Sequence, residues 1–158
     1  MSERTHGNLQ SAKQLFEDGL KIFQRLRNKN FQTMMKSELG HTARQTGDFK
    51  QARKIYTETL ASWQDLGNRA AISHQLECFG FLAITEEEPQ RAIRLFAAAE
   101  ALRERIGSMM TDYERIEYEQ AITRLKTMVT PEKFSSLWAE GRSITMEEAI
   151  ELALAQSS

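Results

Sequence analysis

The sequence predicts an all-α fold of stacked helical hairpins, with about eight helices and a C-terminal helical cap. The chain has 158 residues, two prolines and a single valine, and it is rich in strong helix formers. A pattern of small, aliphatic and aromatic residues recurs every forty positions, and a fixed period of this length is typical of helical repeat proteins. The pattern comprises Ala12, Leu15, Phe16, Gly19, Leu20, Phe23 and Leu26, then Ala52, Ile55, Tyr56, Thr59, Leu60, Trp63 and Leu66, then Ala92, Leu95, Phe96, Ala99, Glu100, Arg103 and Ile106.

Residues 1–29 are predicted to form the second half of a hairpin whose first helix is missing. Gly7-Asn8 aligns with Gly47-Asp48 forty positions later, so we expect a turn there and then a helix from Leu9 to Arg27. A truncated hairpin exposes apolar surface, which favours pairing between copies of the chain. Two origins stay open: a segment cut from a longer protein, or a short stand-alone relative.

Two complete hairpins are predicted, over residues 30–67 and 68–107. In the first, Gly47-Asp48 ends one helix and caps the next, and Gly67-Asn68 repeats the device. In the second, Pro89 stands at a first helical position, where no amide donor is lost.

Small residues inside these helices predict close crossings between neighbouring helices. Two helices approach closely only where one side chain is nearly absent, and larger residues beside it fill the gaps. The residues concerned are Gly40, Ala52, Gly80, Ala92 and Ala99.

Residues 108–158 depart from the forty-residue period and are predicted to cap the last hairpin with short helices. Thr111 and Thr145 each begin the pattern of an N-terminal capping box. A separate helix that starts at Thr130-Pro131 is expected to end at Gly141. Trp138 is expected to pack inward, and a docking surface centred on its ring is the alternative.

The two hairpins resemble tetratricopeptide repeats. The family pairs Leu-Gly on a first helix with Ala-x-x-x-Phe on the second. Here Leu39-Gly40 is followed by Ala52-x-x-x-Tyr56, and Phe79-Gly80 by Ala92-x-x-x-Phe96. The chain departs from the signature in its forty-residue period and in the alanines at 43 and 83, where tyrosine is usual. The resemblance implies a right-handed α-α superhelix, and repeats of this length occur in the sensor arms of bacterial signalling ATPases related to the maltose-regulon activator.

The segment from Arg91 to Leu154 resembles the C-terminal end of large bacterial regulators. Its separated blocks are Arg91–Gly107, Tyr118–Ala121, Trp138–Arg142 and Thr145–Ala149. Such regulators join a kinase, cyclase, winged-helix or LuxR-type output domain to a nucleotide-binding switch and a tetratricopeptide tail. The resemblance implies a regulatory role beside attached domains of a longer parent chain, and it assigns no chemistry to these residues.

The residues that could carry chemistry form no active site in the sequence. His6, His41 and His74 lie in separate segments without metal-ligand spacing, and Cys78 is expected to be a small core residue. The glycines are too scattered for a phosphate-binding loop. We therefore expect no enzyme activity, no cofactor and no bound metal.

Charge and composition narrow the class of partner. Residues 1–79 carry a net charge of +4 and residues 80–158 a net charge of −5, and neither half has the dense basic patch of a nucleic-acid site. No apolar stretch is long enough for a membrane span, and a single cysteine suits a reduced, cytoplasmic setting.

The inner face of the predicted hairpins is the remaining candidate site. The first helix of each hairpin would line a concave groove, which mixes charged, aromatic and methionine side chains and suits a peptide or protein partner. An ordinary solvated groove, and a structural oligomerisation element without a separate ligand, are the alternatives. The groove residues are Met34, Ser37, His41, Arg44, His74, Glu77 and Phe81.

Overall fold

The described part of the chain is all-α. The computed structural model describes the backbone of residues 3–155 and the side chains of residues 7–155, and these residues contain eight helices and no strand. The helices form two compact units that divide between Asn68 and Arg69. The helices are α1 (Glu3–Arg25), α2 (Lys29–Gln45), α3 (Phe49–Leu66), α4 (Arg69–Thr85), α5 (Pro89–Ile106), α6 (Asp112–Met128), α7 (Pro131–Ser143) and α8 (Met146–Leu154).

The predicted turns between the central helices are confirmed. Gly47, Gly67 and Gly107 adopt positive φ angles of 86°, 67° and 70°, which glycine reaches without steric cost. Asp48 caps α3 by accepting a hydrogen bond from the backbone N–H of Gln51. Local turn chemistry therefore determines where these helices end.

The predicted turn at Gly7 is wrong. The helix α1 begins by Glu3 and passes through Gly7 and Asn8 without a break. Apart from its adjacent residues and the nearby backbone of its own helix, no described atom lies within 4 Å of a β-carbon built on Gly7. A glycine inside a helix costs only about 0.5–1 kcal/mol, so without a neighbour that requires a turn the helix continues.

The first unit is a sequential stack in which α1 packs on α2 and α2 packs on α3. Gly19 of α1 lies against Met35, and the rings of Phe23 and Phe31 stack with their centroids 4.8 Å apart. Gly40 of α2 lies directly under the ring of Tyr56 in α3, whose side chain is fully buried. The predicted close crossing at Gly40 is confirmed.

The second unit repeats the same crossing. Gly80 of α4 lies under the ring of Phe96 in α5, forty residues after the Gly40–Tyr56 pair. Phe96 is fully buried, and its ring also makes edge-on contacts with Phe81 and Tyr118. The forty-residue period is therefore a repeated helix–helix contact as well as a pattern of residue types.

The C-terminal helices pack on the α4–α5 hairpin, α7 on α5 and α8 on both of its helices. Both predicted capping boxes, at Thr111 and Thr145, are confirmed. Trp138 is half-buried and stacks on Phe134 beside the core of this unit.

The prediction that Gly141 ends its helix is wrong. Gly141 is buried inside α7, which continues to Ser143. A β-carbon at Gly141 would lie 2.5 Å from the carbonyl oxygen of Arg94 in α5. The glycine therefore allows two helices to touch, a requirement that depends on a residue distant in sequence.

Among the residues that the structure describes, none of the helices combines the length and the apolar character that a membrane crossing requires.

Candidate functional site

The α2 face of the first unit carries a polar cluster, defined here as His41, Arg44 and Tyr56. Nδ1 of His41 lies 2.7 Å from the Tyr56 hydroxyl, and Nε of Arg44 donates to the same hydroxyl over 3.2 Å. The tyrosine ring is buried over Gly40, so only its hydroxyl reaches this edge. One buried ring from α3 thus fixes two half-buried polar side chains of α2.

The other two predicted groove residues of α2 differ in exposure. Met34 is exposed, at 38% of its surface, whereas Ser37 is buried. A flexible methionine is a common component of adaptable binding surfaces. Of these α2 residues, the accessible ones are therefore Met34 and, in part, His41 and Arg44.

The predicted groove residues of α4 take part in contacts inside the second unit. Glu77 is buried, and its two carboxylate oxygens each accept a hydrogen bond of 2.8 Å from the guanidinium of Arg103 in α5. Arg103 also donates to the hydroxyl of Ser108 over 3.2 Å. The ring of Phe81 packs edge-on against Phe96.

The Glu77–Arg103 pair is buried, so its stability depends on its hydrogen-bond geometry. Burial opposes the charged guanidinium, but the hydrogen bond and the negative charge of Glu77 outweigh it and raise the pKa of Arg103. A buried ion pair of this kind is maintained only when hydrogen bonds satisfy both groups. No local pattern predicts this contact, because its partners stand 26 positions apart.

His74 lies between two carboxylates and a thiol. Its Nδ1 is 3.2 Å from Oε1 of Glu114 in α6 and 3.5 Å from Oε1 of Glu77, and its Nε2 is 3.7 Å from Sγ of Cys78. Burial opposes protonation of the ring, but Cys78 and Glu77 outweigh it and hold the pKa of His74 well above its ordinary value. The three histidines have no metal-ligand spacing among themselves, but a spacing of four joins His74 to Cys78 on one face of α4, a signal that the prediction of no metal site overlooked.

Glu114 has two roles in this arrangement. Its carboxylate accepts a 2.8 Å hydrogen bond from the backbone N–H of Thr111 in the capping box, and it also faces His74. Burial would raise the pKa of Glu114, but the Thr111 hydrogen bond and the charges of His74 and Arg103 lower it. The carboxylate is thereby held ionised beside the imidazole.

A shallow cleft of about 270 Å³ opens between α1, α2 and α3 in the first unit. Its polar lining includes Lys13 and Glu17 of α1 and Asp48 and Gln51 of α3. Lys13 and Glu17 are themselves paired at 4.0 Å, and Asp48 is occupied as a helix cap.

No family model, curated protein or solved structure matches this chain.

Proposed function

We propose that this chain is a non-catalytic interaction module of a bacterial regulatory protein, acting in the cytoplasm. It would bind a peptide or protein segment through the first helix of a hairpin, without nucleic acid or membrane. The resemblance of both hairpins to tetratricopeptide repeats supports this role, and so does the sequential packing of α1, α2 and α3. We also propose that the hairpins form a tetratricopeptide-like superhelix and that this superhelix is the effector-sensing tail of the regulatory protein.

One observation carries the proposal: the Tyr56 hydroxyl holds His41 and Arg44 in place on α2. A side chain that is already ordered loses less conformational entropy when a partner binds. A guanidinium recognises carboxylates especially well, and the nearby Met34 suits apolar side chains. The partner would accordingly be a segment that combines acidic and apolar residues.

The test is a binding assay with fluorescein-labelled synthetic peptides, in which acidic–apolar peptides are compared with basic–apolar and uncharged ones. We expect fluorescence anisotropy to show saturable binding of acidic–apolar peptides. Arg44→Glu should reduce this affinity at least about tenfold, since a charge-assisted hydrogen bond is replaced by repulsion. Lys54→Glu makes the same charge change at an exposed position of α3 and should leave the affinity unchanged.

Circular dichroism of both variants verifies that the helices persist. Equal affinity of the wild type and Arg44→Glu, with both folded, would contradict the proposed binding face. Equal binding of all three peptide types would do the same.

A second candidate function is self-association through α1. Leu15 and Ile22 lie on one face of this helix and are 70% and 52% exposed, and Leu26, which follows directly after the helix, is 68% exposed. Apolar side chains clustered in this way mark interaction surfaces. Sedimentation at increasing protein concentration should then show a dimer without any added peptide, and Ile22→Glu should return it to the monomer.

A further inference from the structure

We propose that His74 and Cys78 form a two-ligand clamp for a borderline or soft divalent cation, of which Zn²⁺ is the representative. The proposal concerns α4 of the second unit and goes beyond the peptide-binding role assigned to α2. It rests on the distance between two donor atoms, on the groups that orient the imidazole, and on the chemistry of the ligands.

The two donor atoms already stand at the separation that a zinc ion requires. His74 and Cys78 are one turn apart on α4, so their side chains share a face, and Nε2 lies 3.7 Å from Sγ. In a tetrahedral site with Zn–S of about 2.3 Å and Zn–N of about 2.0–2.1 Å, the two ligand atoms are about 3.5 Å apart. A small adjustment of either side chain would therefore suffice.

The second nitrogen of the imidazole lies beside two carboxylates, the type of group that accepts the remote N–H of many zinc-bound histidines. Nδ1 faces Oε1 of Glu114 at 3.2 Å and Oε1 of Glu77 at 3.5 Å. A carboxylate on the remote ring nitrogen fixes the tautomer, directs Nε2 toward the metal and raises its basicity. The carboxylates are themselves anchored, Glu77 by Arg103 and Glu114 by the Thr111 cap.

The donor set determines the class of ion. A thiolate and an imidazole prefer Zn²⁺ and similar ions, whereas Mg²⁺ and Ca²⁺ require oxygen ligands. Cys78 is fully buried, and the His74 side chain is 27% exposed, so the ion would enter past the histidine. Binding releases to solvent the protons that Nε2 of His74 and Sγ of Cys78 hold, and two protein ligands leave coordination positions for water or for a side chain of a bound partner.

The test is titration of the reduced full-length chain with Co²⁺, followed by displacement with Zn²⁺. We expect saturation at one ion per chain and a thiolate-to-cobalt charge-transfer band in the near ultraviolet. Zn²⁺ should remove the band and raise the melting temperature of the protein. Mg²⁺ and Ca²⁺ should do neither.

Matched variants assign the ligands. Cys78→Ser should abolish the charge-transfer band, and His74→Gln should weaken Co²⁺ binding at least about tenfold. Glu114→Gln preserves the capping box, since glutamine also serves there, and should keep the band while weakening binding about 10–100-fold. His6→Gln removes a histidine from another helix and should bind as the wild type does.

A folded wild type without the band would overturn the proposal, as would a band that survives in Cys78→Ser. If Cys78→Ser fails to fold, His74→Gln decides through melting temperatures. Zn²⁺ must then raise the melting temperature of the wild type but not that of His74→Gln, and equal shifts would again overturn the clamp.

Discussion

Gly80 lies under the ring of Phe96 so closely that a β-carbon would come within 2.8 Å of the ring atom Cζ. The ring is fully buried and is held from other sides by Phe81 and Tyr118, so it has little room to move. Gly40 and Tyr56 stand in the same relationship in the first unit, where the corresponding distance to Cε1 is 2.7 Å. The crossing of α4 and α5 therefore depends on the missing side chain.

The first prediction is that Gly80→Ala destabilises the protein, even though alanine is the better helix former. The methyl group must displace the Phe96 ring, and overpacking of this kind costs about 1–3 kcal/mol. Gly7→Ala is the matched control, because Gly7 is helical and exposed, and its substitution should stabilise the protein by about 0.4–1 kcal/mol. Urea unfolding of both variants measures the difference. A Gly80→Ala variant as stable as Gly7→Ala would refute the close crossing.

The second prediction concerns Gly141, which lies against the backbone of α5, whereas Gly80 lies against the side chain of Phe96. A β-carbon at Gly141 would lie 2.5 Å from the carbonyl oxygen and 2.8 Å from Cα of Arg94. The backbone of α5 cannot rotate aside as a ring can, so Gly141→Ala should cost more than Gly80→Ala, near the upper end of about 1–3 kcal/mol. Thermal unfolding of the two variants in one buffer gives the order. The reverse order would show that α7 moves away from α5 easily.

The elements that sequence predicted well are those with local determinants. The capping boxes at Thr111 and Thr145 and the left-handed turn at Gly67 each depend on residues within one helical turn. Gly7 and Gly141 look like the same helix-stop signal in the sequence, yet both lie inside helices. Gly141 is required by the close approach of α5, whereas Gly7 meets no neighbouring helix among the described residues. Glycine at a turn and glycine at a crossing cannot be told apart until the partner helix is known.

The contacts of the candidate site also fall into local ones, within one helix, and long-range ones, between helices. The i, i+4 pair of His74 and Cys78 was readable in the sequence, because both residues lie in one helix. The Glu77–Arg103 pair joins helices across 26 positions, and the Tyr56 hydroxyl reaches α2 across a turn. Contacts of this second kind form only when α2 packs on α3 and α4 packs on α5. A repeat pattern predicts that these helices pair, but it does not predict which of their polar atoms meet.

The third prediction concerns the phenol of Tyr118. Burial, together with the negative charges of Glu100 and Glu77, raises the pKa of Tyr118 far above its ordinary value of 10. The unfolded chain releases this proton near pH 10, about the value of a model tyrosine, so the free energy of unfolding should fall as the pH rises above that point. Tyr118→Phe should reduce this fall, because it removes the group whose pKa changes on unfolding.

Tyrosinate absorbance provides the independent measurement for Tyr118. Tyr118→Phe should remove only absorbance that appears well above pH 10, the ordinary value of about 10 for a model tyrosine. Loss of absorbance near pH 10 in Tyr118→Phe would mean that the Tyr118 hydroxyl is accessible in the folded state.

The fourth prediction is that neither partner of the Glu77–Arg103 pair can be removed alone. Glu77→Gln leaves a buried guanidinium without its counter-charge and should cost about 3–5 kcal/mol in the free energy of unfolding. The double variant Glu77→Leu/Arg103→Met removes both charges and should be more stable than Glu77→Gln. The half-exposed pair of Arg94 and Glu140 is the control, and Glu140→Gln should cost less than about 1 kcal/mol. Urea unfolding curves for these variants measure each cost. Equal costs for Glu77→Gln and Glu140→Gln would mean that water reaches the Glu77–Arg103 pair, and that these charges do not hold α4 and α5 together.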